Sequence, residues 1–158
     1  MFTKVIWATD GSEHADRGLA YAVGVATRDG AELHVVHVVE KLAGARASGL
    51  DARADEDEVK AKIERQAAAL AADGDVTPIV HIVRGRNNHV ADRIAEIAEH
   101  VGADLIVVGT RGHGTVGSLV LGSVTQRLMH VSGTPVLAVP PSAAQVAAIL
   151  AETVGTPA

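Results

Sequence analysis

The sequence predicts an α/β fold, a single-domain five-stranded parallel sheet in the order 3-2-1-4-5 with helices on both faces. Three observations predict it. Short β-branched runs alternate with longer segments of helical period, the signature of βαβ units. The fourth run is apolar on both faces, whereas the third and fifth carry prolines at their boundaries, which separates central strands from edges. Aromatic residues are only 2% of the 158 residues while 47% are hydrophobic, so the core must be built from Val, Ile, Leu and Ala.

The first strand is expected over Val5–Thr9. Asp10 or Ser12 then caps a helix whose apolar side is Ala15, Leu19, Ala22, Val23 and Ala26, and which Asp29-Gly30 stops. Leu33–Val39 reads as the second strand. The small-residue stretch 41–49 that follows is too long for a tight connection and reads as a lid or an irregular bulge. A second helix places Val59, Ile63, Ala67 and Leu70 inward and Lys60, Lys62, Glu64 and Arg65 outward. The third strand is expected over Val76–Val83, with Pro78 near its start. A third helix carries Val90, Ile94, Ile97, Ala98 and Val101, and Ala103–Gly109 is the central fourth strand. After a glycine-rich loop, Val124, Leu128 and Val131 mark the buried side of a fourth helix, with Met129 also expected in the core. Val136–Val139, between Pro135 and Pro140-Pro141, is the last, edge strand. Residues 142–158 read as a tail outside the domain of 1–141, with the makings of a short surface helix.

Composition excludes several function classes. The 14 Lys and Arg against 19 Asp and Glu give a formal charge of −5, without the basic stripe a nucleic-acid groove requires. The absence of cysteine excludes disulfides, thiolate metal sites and a thiol nucleophile. His34 and His37 lie three apart on a strand and so face opposite sides, which argues against a metal pair, and no side-chain metal site or catalytic residue is expected. Met1 to Trp7 runs straight into a strand with no leader-like pattern. No run approaches the roughly 18 apolar residues of a membrane span. No nucleic-acid or membrane partner is expected.

In an open α/β sheet of this order, ligands sit beyond the carboxyl ends of the strands where the order reverses, between the first and fourth. That puts Asp10 and Gly109 beside one crevice, and the glycine-rich loop begins there. Within it Gly112-x-Gly114-x-x-Gly117 has the dinucleotide-fingerprint string but not its first-turn position. The P-loop spacing lacks its lysine. What fits the context is Gly109-x2-Gly112-x9-Gly122-Ser123. Gly109 and Gly112 permit a positive φ and close backbone approach, and the start of the fourth helix attracts an anion.

With Ala8-Thr9-Asp10-Gly11-Ser12 after the first strand and Thr134-Pro135-Val136 near the end, this spacing resembles the universal stress protein family, ATP-binding type, from Lys4 to about Val139. The resemblance implies the adenine nucleotide alpha hydrolase-like fold, with the family domain over 1–141. It also implies a nucleotide site in which Ala8, Thr9, Asp10 and Val38 approach the adenosine, Val38 partly through its backbone. Val108, Gly109, Thr110, Arg111, Gly112 and His113 would line the ribose and phosphates, and Gly122, Ser123, Val124 and Thr125 would hold the phosphates. Arg111 or His113 would supply positive charge. The implied cofactor is ATP, with Mg²⁺ carried by the nucleotide. The implied protein is a cytoplasmic, nucleotide-dependent stress-response protein without efficient catalysis, a homodimer through strand 136–139. The alternatives are a binder of cyclic AMP or AMP and a slow ATPase. A flavodoxin, a receiver domain and an ATP pyrophosphatase each need residues after the first or third strand that Asp10-Gly11-Ser12-Glu13 and Val83-Arg84-Gly85 do not supply.

Overall fold

The computed structural model of the chain describes residues 1–40, 51–74, 76–85, 89–110 and 121–144. In chain order the elements are β1 (Lys4–Ala8), α1 (Glu13–Asp29), β2 (Glu32–Val39), α2 (Asp51–Asp73), β3 (Ile79–Arg84), α3 (Val90–Val101), β4 (Leu105–Gly109), α4 (Ser123–Val131) and β5 (Val136–Val139). The strands form one all-parallel sheet in the order β3-β2-β1-β4-β5, as the alternation of runs requires. α2 begins at Asp51, whereas the 41–49 stretch expected to be a lid or bulge, and the tail beyond residue 144, lie outside the described residues.

The period-two alternation of the strands builds two cores. Val5, Trp7, Leu33, Val35 and Val107 pack under α1 and α2, against Ala22, Ala26 and Ile63. Ile6, Ala8, Val36, Val38, Ile106 and Val108 pack under α3 and α4, against Ile94, Ala98 and Leu128. Trp7 is fully buried, and its Nε1–H donates to the Ala15 carbonyl at 3.0 Å, so the indole's polar atom is satisfied inside the core. Gly18 makes room for it, since a Cβ there would lie 3.1 Å from Trp7 Nε1.

Helix ends follow their sequence signals. Ser12 is the N-cap of α1 and accepts from Ala15 N–H, and Gly30 and Gly102 close α1 and α3 in the left-handed conformation. At the amino edge of the sheet the Asp104 carboxylate accepts from Thr3 N–H, Thr3 Oγ1–H and Lys4 N–H, tying β4 to the start of β1. Burial pushes this carboxyl up, but the three hydrogen bonds outweigh it and hold it below the ordinary carboxylate range.

Three expectations are corrected. β3 begins at Ile79, after Pro78 rather than around it, because a residue without an N–H cannot donate to the ladder. Met129 and Val131 are exposed, at 51% and 37%. α4 buries Leu128, as expected, and Thr125, and Val131 is its last residue. Lys62 does not face solvent freely: its ammonium donates to Gly11 O and Asp16 Oδ2, each at 2.7 Å.

Candidate functional site

The register sets the site. Ala8 pairs with Val36 on one side and with Val108 on the other, so Thr9-Asp10, Gly109-Thr110 and the end of β2 emerge side by side at the carboxyl edge. Ala8, Val38 and Val108 are all buried, on the α3/α4 side of the sheet.

The β1–α1 turn is held from within and from outside. Asp10 Oδ1 accepts from Ser12 N–H at 2.9 Å and Ser12 Oγ at 2.6 Å, so Asp10 organises the residue that caps α1 while Ser12 is the cap itself. Thr9 Oγ1 accepts from Gly11 N–H, and Thr9 N–H donates to Val36 O. Gly11 has φ +81°, which only glycine adopts without strain, and Val59 of α2 packs against it. From outside, His37 Nδ1 meets the Thr9 carbonyl at 2.9 Å. A carbonyl only accepts, so Nδ1 carries the proton. Lys62 meets the Gly11 carbonyl, and Gln66 joins it on Asp16.

The β4–α4 side is equally tied. Thr110 N–H donates to Val139 O, Gly122 N–H donates to Thr110 O at 2.7 Å, and the buried Thr125 hydroxyl donates to Gly109 O at 2.9 Å. Gly122 is the N-cap of α4, Ser123 is exposed and Val124 packs on the α3/α4 core. Gly109 is the last residue of β4, paired with Val139, and does not use the positive φ that glycine permits. The Thr125 proton is committed to the backbone, so its visible role is to fasten the loop. Arg111, Gly112 and His113 lie outside the described residues.

The electrostatics distinguish the helix ends. The first turn of α1 carries Glu13 and Asp16 and that of α3 carries Asp92, whereas the first turn of α4 has no acidic residue to neutralise its positive end. An anion at the carboxyl edge therefore meets least opposition at α4. Among the described residues no group of three or more His, Cys, Asp or Glu is placed to hold a metal ion. His34 reaches His81 Nε2 at 2.9 Å while His37 reaches Thr9, so the two do not converge. An open groove of about 730 Å³ runs along α1 past Leu19, Val23 and Leu70, and none of the sequence-predicted site residues lines it.

Sequence reasoning missed His37, Lys62 and the positive φ at Gly11. The glycine in Asp10-Gly11-Ser12 was a usable turn signal. The partners of His37 and Lys62 depend on tertiary placement.

Comparison with known proteins follows the same outline. The model of the universal stress protein family matches residues 1–140. A universal stress protein of Thermus aquaticus, encoded beside a QAH/OAS sulfhydrylase, is 38% identical over 143 residues, covering 88% of this chain and 99% of the relative. The crystal structure of a universal stress protein in complex with cAMP is similar with a TM-score of 0.67 and 27% identity, covering 89% of this chain and 99% of that one. A universal stress protein from Archaeoglobus fulgidus in complex with dAMP gives 0.64 and 25%, covering 86% and 96%.

Proposed function

The chain belongs to the universal stress protein family, and from that premise we propose that it binds ATP in the crevice at the carboxyl edge of β1, β2 and β4 and acts as a nucleotide-dependent regulatory protein of the stress response. The observation that carries this reading is the convergence on one edge of the Asp10 turn, the Gly109-Thr110 strand end and an α4 N-terminus with no acidic residue in its first turn. Such a terminus is suited to phosphate oxygens. That two similar proteins have structures in complex with adenine nucleotides, cAMP and dAMP, supports the base.

In this reading Ala8, Thr9, Asp10 and Val38 approach the adenosine, Val108 to His113 line the ribose and phosphates, and Gly122 to Thr125 hold the phosphates. Mg²⁺ arrives on the polyphosphate. Turnover is slow or absent in this reading, and among the described residues no group of three or more His, Cys, Asp or Glu is placed to hold a metal ion of its own. The chain works in the cytoplasm as a homodimer joined through β5, an apolar edge strand with Leu137 37% exposed, which would invite aggregation if left uncovered.

A second reading, a nucleoside monophosphate or cyclic AMP site, is favoured by one observation. Gly122 N–H and Thr125 O–H, both assigned to phosphate, are already bonded to Thr110 and Gly109. Thermal unfolding with ATP, ADP, AMP, cyclic AMP and GTP, on wild type and Gly122→Val, decides. A ligand at a hundredfold excess over Kd adds about 2.7 kcal/mol, or about 5–10 °C for a chain of this size. The ATP reading expects that shift with ATP and its loss in Gly122→Val. A shift with AMP or cyclic AMP alone replaces it with the second, and no shift with any adenine nucleotide refutes both.

A further inference from the structure

The ladder between β1 and β2 stops at Ala8↔Val36, although β2 continues to Val39. Thr9 N–H still donates to Val36 O, so Thr9 lies in the right place to continue the pairing. Val36 O faces β1, whereas Val39 O accepts from Gly85 N–H on the β3 side. Backbone groups of a parallel strand alternate between its two neighbours, so the Val38 N–H and C=O face the β1 side, level with and beyond Thr9. In a continued ladder Val38 N–H would donate to the Thr9 carbonyl. That carbonyl instead receives His37 Nδ1–H at 2.9 Å, from a side chain 7% exposed.

We propose that His37 is a positioning residue for the base of the bound nucleotide: by taking the Thr9 carbonyl it ends the β1–β2 ladder one residue early and leaves the Val38 N–H and C=O to read an adenine edge. This rests on the nucleotide reading above. The chemistry is matched, because adenine presents a donor amine beside a ring-nitrogen acceptor. Guanine presents an acceptor oxygen where adenine has the amine, and would set it against the Val38 carbonyl. His37 does not touch the ligand. It acts through the Thr9 carbonyl, and through Thr9 on the turn that carries Asp10.

The test compares the full chain with His37→Val and His37→Asn. Asparagine places an N–H donor close to where Nδ1 stands, whereas valine fits a buried strand better but donates nothing. ATP and GTP affinity are measured by calorimetry and the Val38 amide by hydrogen exchange. The expected result is that His37→Val weakens ATP binding about tenfold or more and narrows the preference for ATP over GTP, while His37→Asn stays within about threefold of wild type. The Val38 amide exchanges faster in wild type and His37→Asn than in His37→Val, where it pairs with Thr9. A purely structural role gives the opposite order, with valine the better replacement. Wild-type ATP affinity in His37→Val, or identical Val38 exchange in all three proteins, overturns the proposal. A wild type that binds no adenine nucleotide refutes the nucleotide reading, and the Val38 exchange rates then still decide whether His37 ends the ladder. Should His37→Val fail to fold, His37→Met gives the same comparison.

Discussion

Gly11→Ala tests the tight turn at the centre of the site. Gly11 sits at φ +81°, and a Cβ added there would come within 2.7 Å of Val59 Cγ1. Left-handed backbone costs a non-glycine residue about 1–2 kcal/mol, and forcing a methyl against a packed neighbour costs about 1–3 more. Together they come to about 2–5 kcal/mol, which lowers the unfolding midpoint of a chain of this length by about 5–15 °C. Urea unfolding followed by the single, fully buried Trp7 measures the difference. Val59→Ala separates the two causes. Alone it costs about 1–2 kcal/mol of lost burial, but combined with Gly11→Ala it relieves the clash, so the pair is less damaging than the sum by about 1–3 kcal/mol. A Gly11→Ala protein within about 0.5 kcal/mol of wild type, or strictly additive effects, would refute the packing of α2 onto this turn.

The remaining predictions concern the fastenings around the site and the edges of the sheet. Thr125→Val keeps the shape but removes the hydrogen bond to Gly109 O, and should cost about 1–2 kcal/mol in denaturant unfolding, with Thr125→Ser nearer to wild type. The Arg28 guanidinium, followed by the Phe2 N–H, holds the Asp29 carboxyl down at about 2. Because the folded value is depressed, its stabilisation is present above the ordinary carboxylate range and is lost as pH falls from about 4 through 2. Asp29→Asn should flatten that acid limb of the stability curve, and an unchanged limb would contradict the assignment. Leu137→Lys puts a charge on the exposed apolar edge of β5. Sedimentation should then show a monomer where wild type is a dimer, and a monomeric wild type would exclude the proposed association.

The strand order was legible because two kinds of residue speak locally. Prolines beside Ile79–Arg84 and Val136–Val139 fit edge strands, and the uninterrupted apolar run Leu105–Gly109 needs cover on both faces. The Asp10-Gly11-Ser12 turn was legible for the same reason, since cap and turn chemistry act within a few residues. What could not be read was the identity of partners brought together from distant parts of the chain. Lys62 looks like one more outward charge on a helix until α2 crosses the β1–α1 turn and places it over Gly11 and Asp16. His37 has the pattern of a buried strand residue, and only the neighbouring strand end supplies the Thr9 carbonyl. Val131 fits the helical stripe and Met129 has a core residue's side chain, but α4 leaves both exposed.

The central claim is that the carboxyl edge of β1, β2 and β4 is where an adenine nucleotide binds. A ¹H–¹⁵N titration of the uniformly labelled chain with Mg²⁺-ATP tests it most directly. Saturable shifts at the amides of Thr9, Asp10, Val38, Gly109, Thr110 and Ser123, with the α1 residues Leu19 and Val23 unmoved, are the predicted result. Shifts concentrated along the α1–α2 groove, or no saturable shifts at the strand ends, would contradict it.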